Sequence, residues 1–503
     1  MSVFAEKRYP FKTETNFKFK RKMYYELRDF LQHSAKSIAS LCGPRRTGKT
    51  ILLKQLAADF GYHYVNFKDV TDDDAGAEII GNVAKDIRTF TVSVWLLDEF
   101  TSLKDYDVLI RILVNAYEEC EDCSTKIVFT GSQSFAIQSL CLRNFGSSAE
   151  YFKLSFLSFH EYCVFKGIGE VSILDNFTLD DAVKLQGIKE NFYIEYLFDT
   201  YSFNIVIQNN LEYLQSCIGE TIESNRNSVN NNGVLEVNAT AREINEIYYA
   251  LLYSLHNDIG YDTLLKGEGL NAVATMYRAE KIAKGEEPLF KQKDFIIEVQ
   301  GMLHDFYDRV CKMNSYKFAS IINFLAKLDL IYFTTNNRNS FSLDSYLDGE
   351  IEKSPKDFMK SFTINVCHPA FYCNVLNEIC GRLQLKYPQL KNRELLSRVL
   401  LGSMVECDVL HSVSQYLNVN LLYKLNKFEN GSKCSEIDLA CTELRIAVEI
   451  SVADKKINKT HFAEFEEIAD WDWYLLGTKL EEGRPKRIPY FIFKFIFDSF
   501  LYQ

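Results

Sequence analysis

The chain has 503 residues, 47% of them hydrophobic and 25% charged. Those proportions exclude a disordered or fibrous polymer, and at ~150 residues per domain the length predicts about three domains. With 57 Lys and Arg against 68 Asp and Glu the formal charge is −11. Bulk coating of nucleic acid is thereby excluded, and a local basic patch stays open. The N-terminal stretch has no apolar core of a signal peptide, and no run of about 20 apolar residues is present, so neither export nor a membrane span is expected. The thirteen cysteines are scattered and are expected to be reduced thiols of a cytoplasmic protein. Cys120 and Cys123 form a C-x-x-C with no second pair at zinc-ribbon spacing, and read as core thiols. Asn-rich patches, 29 Tyr and 38 Phe fit an AT-rich bacterial coding sequence.

From residue 37 to 160 short apolar runs alternate with helical patterns, which predicts a parallel α/β sheet. The candidate strands are Ile38–Cys42, Tyr62–Phe67, Val92–Leu97, Lys126–Thr130 and Tyr151–Phe156. After the first comes Gly43-Pro44-Arg45-Arg46-Thr47-Gly48-Lys49-Thr50, which fits G-x-x-x-x-G-K-[ST] at every fixed position. Glycines at both ends let backbone N–H groups turn inward around phosphates, and the following helix adds its positive dipole end. Lys49 is expected on the β- and γ-phosphates of ATP and the Thr50 hydroxyl on Mg²⁺. The binding segment is expected to run on to Ile51. The helix behind it carries Leu53, Leu56, Ala57 and Phe60 on one face and should stop at Gly61.

The third candidate strand ends in Asp98-Glu99. Asp98 is expected in the Mg²⁺ shell and Glu99 as the group that polarises the attacking water. Asp98 falls on the third strand in sequence, which predicts an extra strand between it and the phosphate-loop strand. At the tip of the fourth strand, Thr130 and Ser132 are candidates to touch the γ-phosphate or the attacking water.

Residues 161–217 read as mainly helical. The Asn-rich stretch from Glu220 to Arg242 reads as a loop or linker. Helical patterns resume over 245–333, where Ile321, Phe324, Leu325 and Leu328 share one face. Ile331–Thr335, the turn Asn336–Asn339 and Ser340–Leu343 then predict a hairpin, so that helix and hairpin together suggest a winged helix. Beyond 395 an initial helix precedes strand-like runs at Val419–Leu425, Glu436–Ala440 and Arg445–Ile450. Ile488–Leu501, interrupted by Lys494 and Asp498, reads as a buried strand or helix.

These motifs together resemble the prokaryotic ATPases of AAA type with a G-P-R-[RQ]-x-G-K-[ST] loop and an appended domain similar to restriction-endonuclease folds. Gly43–Thr50 looks like that loop, Leu97–Phe100 like L-D-E-[IF], and Thr130-Gly131-Ser132 like T-G-S. Leu154–Tyr162 is similar to L-x-P-L-S-F-x-E-[FY], and Tyr316–Tyr332 to the family's winged-helix segment. Gly402–Glu406 resembles the G-x-x-x-E helix, and Glu436–Asp438 with Glu449–Ser451 resembles the E-[VI]-D and E-[VI]-K strands. The resemblance implies an additional-strand, AAA-like P-loop domain over 1–160, then a helical lid with the Asn-rich linker over 161–244. It further implies a winged-helix-like domain over 245–394 and a degenerate restriction-endonuclease-like α/β domain over 395–503. Two departures stand out. The family's Gly-Arg, a candidate arginine finger, is replaced by Phe145-Gly146-Ser147-Ser148, leaving Arg143 as the nearest arginine. The Gly-Gly-Phe-Pro turn expected near 195–205 is absent.

In nucleases of that type an Asp and a Glu on neighbouring strands hold Mg²⁺ and a Lys two residues after the Glu assists. Asp438, Glu449 and Glu406 supply the carboxylates, but Ser451 replaces the lysine, with Lys455 and Lys456 further on. An inactive nuclease-like fold is therefore expected. The candidate recognition segment holds Lys317, Lys327 and Asp329 among apolar residues, which points to a protein-contact or intramolecular role rather than DNA readout. The sequence thus predicts an ATP-binding, slow Mg²⁺-dependent ATPase whose nucleotide state controls C-terminal interaction domains. Its partners would be ATP and either another protein or further copies of itself. The alternatives are an ATP-gated nucleic-acid binder or active nuclease, and a non-hydrolysing ATP-binding scaffold.

Overall fold

A computed structural model describes residues 19–70, 73–103, 105–120, 123–166, 190–199, 219–226, 237, 239–254, 285, 308–336, 341–367, 402, 404–413, 422–426, 436–441, 445–451, 470–481 and 486–500. These fall into two compact units. One joins Met1–Phe156 with Cys217–Val237, and the other joins Leu157–Ser216 with Asn238–Gln503.

The first unit is built on a five-stranded parallel sheet. Its strands are β1 (Ile38–Cys42), β2 (His63–Asn66), β3 (Val94–Asp98), β4 (Lys126–Thr130) and β5 (Ala149–Lys153). They lie in the order β2-β3-β4-β1-β5. β4 separates the phosphate-loop strand β1 from β3, as the motif order predicts. β5 begins two residues before the expected Tyr151 and stops at Lys153, because its ladder with β1 ends at Cys42↔Lys153 where β1 turns into the glycine loop.

The two faces of this sheet follow the strand period of two. Ile38 and Cys42, Leu97, Ile127 and Phe129 join one apolar cluster, with Ile80 of α3 (Asp73–Arg88), Ile110 of α4 (Tyr106–Glu118) and Ile137 of α5 (Ser134–Phe145). Ala39 and Leu41, Leu96 and Val128 join the other, with Leu27 and Phe30 of α1 (Lys22–His33) and Leu52, Leu53 and Leu56 of α2 (Lys49–Phe60). Burial on both faces explains why the strands read as continuous apolar runs rather than alternating ones. α2 stops where predicted, at Gly61 with φ 68°, whose N–H donates to the Ala57 carbonyl.

The second unit holds a seven-stranded mixed sheet. Its strands are β6 (Ile331–Asn336), β7 (Phe362–Val366), β8 (Leu422–Asn426), β9 (Glu436–Cys441), β10 (Ile446–Ile450), β11 (Asp472–Gly477) and β12 (Lys486–Pro489). The order is β12-β11-β10-β9-β8-β6-β7. β6 pairs antiparallel with β7 and parallel with β8, so strands from both sides of residue 394 share one sheet. The helix Ser315–Lys327 that leads into β6 buries Ile321, Phe324 and Leu325 as expected. The predicted return strand Ser340–Leu343 is corrected over residues 341–343, and Ser340 lies outside the described residues. Ser342 instead caps the helix Leu343–Leu347, accepting from the Ser345 N–H, and Ser354 before Pro355 caps the helix Pro355–Ser361. Among the described residues β6 finds its antiparallel partner at β7. Two serine N-caps, one followed by proline at the first helical position, outweigh a short apolar run. The turn at Asn336 and the start of the run at Val419 lie partly outside the described residues, as does most of 161–217.

Two charges interrupt the apolar helix Tyr490–Phe500, and both are buried. Lys494 Nζ lies 2.6 Å from Asp498 Oδ2 and 3.4 Å from Asp408 Oδ1. Asp498 Oδ2 accepts from the Phe159 N–H at 2.6 Å and the His160 N–H at 3.3 Å, and its Oδ1 accepts from Ser412 Oγ at 2.7 Å. It therefore supports the N-terminus of α6 (Phe159–Phe165), where Ser158 and Glu161 form a capping box. His160 is thus a packed residue, its ring 4.8 Å from that of Phe495. Lys494→Met would leave Asp408 and Asp498 without their cation. Breaking a buried pair costs ~3–5 kcal/mol, expected as a lowered urea midpoint for this unit. An unchanged midpoint would show the cluster to be energetically idle.

Candidate functional site

The loop between β1 and α2 is shaped by its two glycines. Gly43 has φ 142°, and a Cβ there would stand 2.1 Å from the Leu154 carbonyl oxygen, so a larger residue cannot fit without moving backbone. Gly48 has φ 98° and opens onto empty space, which leaves room for a ligand at the helix start. Thr47 Oγ1 donates to the Pro44 carbonyl at 2.9 Å, and the Gly43 N–H donates to Ser134 Oγ at 3.1 Å. Arg21 binds from outside: its guanidinium donates to the carbonyls of Thr47 (2.8 Å), Ser155 (2.9 Å) and Phe156 (3.0 Å). Arg46 itself sits at φ 65°.

Lys49 is the first residue of α2 and is buried. Its Nζ donates to the carbonyls of Gly43 and Pro44, each at 2.8 Å. Burial pushes its ammonium down to about 8, against the pull of Glu99, Cys42 and Asp98. Carbonyl oxygens are weak counterparts for a buried cation, and phosphate oxygens would replace them with gain. Thr50 and Ile51 follow in the first turn, both half-buried.

Asp98 ends β3 almost fully buried, accepting from Tyr64 OH at 2.9 Å. Burial raises its carboxyl, while hydrogen bonds from Thr50 and Tyr64 act the other way. The Thr50 hydroxyl, in the first turn of α2, and the carboxylate at the end of β3 thus influence each other electrostatically. Glu99 adopts the left-handed conformation with φ 54°. Lys68 Nζ lies 2.9 Å from Glu99 Oε1, and the Ser132 N–H donates to Glu99 Oε2 at 3.1 Å. Burial pushes the Glu99 carboxyl up, but Lys68, Lys49 and the Ser132 N–H together hold it below its ordinary range. Thr130 ends β4 fully buried, and its Oγ1 has no hydrogen-bond partner among the described residues.

The stretch expected to be linker contributes a helix over 219–226, which corrects the reading of Glu220–Arg226 as loop. Glu220 pairs with Arg45 at 2.8 Å and with Arg46 at 3.6 Å, and the Arg45 N–H donates to Thr221 Oγ1 at 3.3 Å. Asn225 accepts from the Phe135 N–H at 3.2 Å and donates to the Ser132 carbonyl at 3.4 Å. Its buried side chains, Thr221, Ile222 and Asn225, include only one apolar residue, so periodicity could not flag it. Lys68 and Tyr64 were also not legible as site residues; a fully worked strand order would have pointed to them, since Asn66 pairs with Asp98 in the β2–β3 ladder.

A nucleoside triphosphate with Mg²⁺ fits this donor set. Among the described residues Lys49 Nζ is hydrogen-bonded to the carbonyls of Gly43 and Pro44, and Thr130 Oγ1 has no partner, while Thr50 and Asp98 supply oxygens of the kind Mg²⁺ takes. Arg143 stands exposed in the last turn of α5, and Gly146–Ser148 form a short 3-10 turn without arginine. Cys120 Sγ and Cys123 Sγ each donate to a backbone carbonyl, of Ile87 and Thr125, as core thiols do. In the other unit Asp438 on β9 and Glu449 on β10 sit on adjacent antiparallel strands, and the Ile450 N–H donates to Asp438 Oδ2 at 2.6 Å. Glu406 is half-buried in the helix over 404–413. Lys455 and Lys456 lie outside the described residues. Lys317 Nζ is 2.8 Å from Glu243 Oε1.

Residues 35–163 match a family model described as an AAA domain, which supports an AAA-type P-loop ATPase domain there. No curated protein gives a significant match. Among solved structures, a Walker-type ATPase of Pyrococcus abyssi is 12% identical with TM-score 0.26, over 71% of this chain and 95% of that one. A DNA replication initiation factor is 14% identical with TM-score 0.24, over 62% and 95%. The ORC1 protein of Aeropyrum pernix in complex with DNA is 11% identical with TM-score 0.21, over 72% and 92%. Likenesses this weak carry no argument about function. Among the described residues, no helix is long and apolar enough to cross a membrane.

Proposed function

We propose that the chain binds Mg²⁺-ATP on the first unit and hydrolyses it slowly, using nucleotide state to control its C-terminal part as an interaction module. The observation that carries this reading is Lys49, buried at the mouth of a complete phosphate loop, its Nζ hydrogen-bonded among the described residues to the carbonyls of Gly43 and Pro44. Residues Gly43 to Ile51, with Pro44, Arg45, Arg46, Thr47 and Gly48 between them, cradle the phosphates. Thr50 and Asp98 would hold Mg²⁺, which when bound neutralises charge on the β- and γ-oxygens. Glu99 accepts the proton of the attacking water, and Thr130 and Ser132 orient that water or the terminal phosphate.

ATP binding should weaken as pH rises. The charged form of Lys49 binds phosphate, and the free protein loses that proton near pH 8. Calorimetry with Mg²⁺-ATP should therefore show a dissociation constant about 10-fold weaker at pH 9 than at pH 7. Failure to bind at pH 7 would remove the reading altogether.

A cation beyond Lys49 and Mg²⁺ contributes roughly 10³–10⁵ in rate in P-loop enzymes. Gly146–Ser148 hold no arginine and Arg143 is exposed. In this reading a second copy of the chain, or a partner protein, supplies that cation. Specific activity should then rise with protein concentration. Fast turnover that is constant on dilution would exclude a donated group.

The division into a motor over 1–160, a helical lid over 161–244 and a C-terminal part over 245–503 belongs to the same proposal, as does a cytoplasmic location. The expected boundary between 245–394 and 395–503 is not kept, because β6 and β7 share one sheet with β8 to β12. The winged-helix-like and nuclease-like assignments rest on the helix Ser315–Lys327 and on Asp438 and Glu449. Ser451 in place of a lysine favours an inactive nuclease-like fold, and the Lys317–Glu243 pair within the chain favours an intramolecular role of this segment over DNA readout. Steep loss of nucleic-acid affinity with salt would instead favour a nucleic-acid-binding module.

A further inference from the structure

Among the described residues, one group of three side chains has the composition of a metal site, and it lies far in sequence from the phosphate loop. The ligand atoms of Asp329, Cys367 and His411 all fall within 4.8 Å of one another. They come from three separate elements. Asp329 is in the turn between the helix Ser315–Lys327 and β6, Cys367 directly follows β7, and His411 is in the helix over 404–413. Asp329 is 3% exposed, Cys367 1%, and His411 is half-buried. Cys367 Sγ donates to Asp329 Oδ1 at 3.4 Å.

We propose that these three residues bind zinc. The charge balance is the first reason. A carboxylate, a thiolate and a neutral imidazole carry two negative charges, which one divalent ion cancels, so the loaded site is neutral in an interior that penalises net charge. The second reason is ligand chemistry. Thiolate, imidazole and carboxylate together suit zinc, whereas magnesium and calcium want oxygen ligands only. The third is bracing. Tyr332 OH donates to the Cys407 carbonyl at 3.0 Å, and Cys407 Sγ donates to the Val366 carbonyl at 3.0 Å. These bonds tie the helix carrying His411 to the strands beside Asp329 and Cys367. The His411 ring also lies 5.4 Å from that of Tyr332. A site whose ligands are held by such surroundings needs little movement to close. Metal–ligand bonds of about 2.0–2.3 Å place tetrahedral ligand atoms some 3.3–3.8 Å apart, so side-chain shifts of about 1 Å suffice. On binding, the Cys367 thiol releases its proton to solvent, sulfur bonds the metal, and the hydrogen bond to Asp329 is replaced by a shared ion. Water takes the fourth position. The metal would clamp the helix over 404–413 onto the sheet.

Cobalt(II) reports on such a site directly. Full-length protein, stripped with a chelator, is titrated with cobalt(II) chloride and the near-ultraviolet thiolate-to-cobalt charge-transfer band is followed. One equivalent should saturate the band and zinc sulfate should bleach it. Cys367→Ser should abolish it, and His411→Gln should weaken cobalt affinity at least about 10-fold. The Cys120→Ser/Cys123→Ser double variant and Lys49→Ala should keep the band at full strength. No band in the parent protein would overturn the proposal, as would a band that survives Cys367→Ser or disappears in the double variant. Should Cys367→Ser fail to fold by circular dichroism, the half-buried His411 decides: unchanged cobalt affinity in His411→Gln would overturn the site.

Discussion

Glu99→Gln is expected to bind Mg²⁺-ATP as the parent does and to hydrolyse it about 10²–10⁴-fold more slowly, the usual contribution of a positioned general base. The amide keeps the shape of the side chain and can still accept from the Ser132 N–H and lie beside Lys68, so the loop at φ 54° is preserved while the proton acceptor is lost. A companion variant tests the same assignment through pH. Lys68 helps hold the Glu99 carboxyl below its ordinary range. Removing it in Lys68→Met lets that carboxyl rise, so the fraction ionised at a given acid pH falls. The acid limb of the rate profile should then move to higher pH. Parent-like turnover in Glu99→Gln, measured by phosphate release, would show the base to be another group.

Lys49→Ala should lose at least about 10²-fold in ATP affinity, because hydrogen bonds to charged groups contribute ~1.5–3 kcal/mol each and more than one phosphate oxygen is involved. Its stability should be unchanged or slightly higher. The free protein holds this ammonium buried against carbonyls at a pKa lowered to about 8, so its removal relieves a penalty that is full below that pH and fades as pH rises toward the unfolded value. Gly43→Ala should differ. Its Cβ would overlap the Leu154 carbonyl at 2.1 Å in a conformation reserved for glycine. Both binding and stability should fall, the second by ~1–3 kcal/mol from backbone strain alone. The pair of variants separates ligand contact from loop shape: calorimetric binding and thermal midpoints should change together in Gly43→Ala and apart in Lys49→Ala. Normal ATP binding by folded Lys49→Ala would refute the phosphate-loop role.

The local grammar of the first 160 residues sufficed for most of the fold that frames the candidate site. Apolar runs buried on both faces announce parallel strands, and Gly48, Lys49 and Gly61 mark the start and stop of α2. The spacing between Gly43–Thr50 and Asp98 implied an inserted strand, which is β4. These features are legible because each depends on neighbours within a turn or two of chain. What only the tertiary structure decided are long-range partners. Lys68, just beyond β2, reaches Glu99, just beyond β3, Glu220 reaches Arg45 from 175 residues away, and β6 pairs with β7 and β8 rather than with the nearby residues 341–343. The same holds for Lys494 and Asp498, which look like flaws in an apolar run until Asp408, Ser412 and the N-terminus of α6 gather around them. Ion pairs and edge pairing carry no periodicity along the chain. They are selected by which groups burial brings together, and burial is a property of the folded whole.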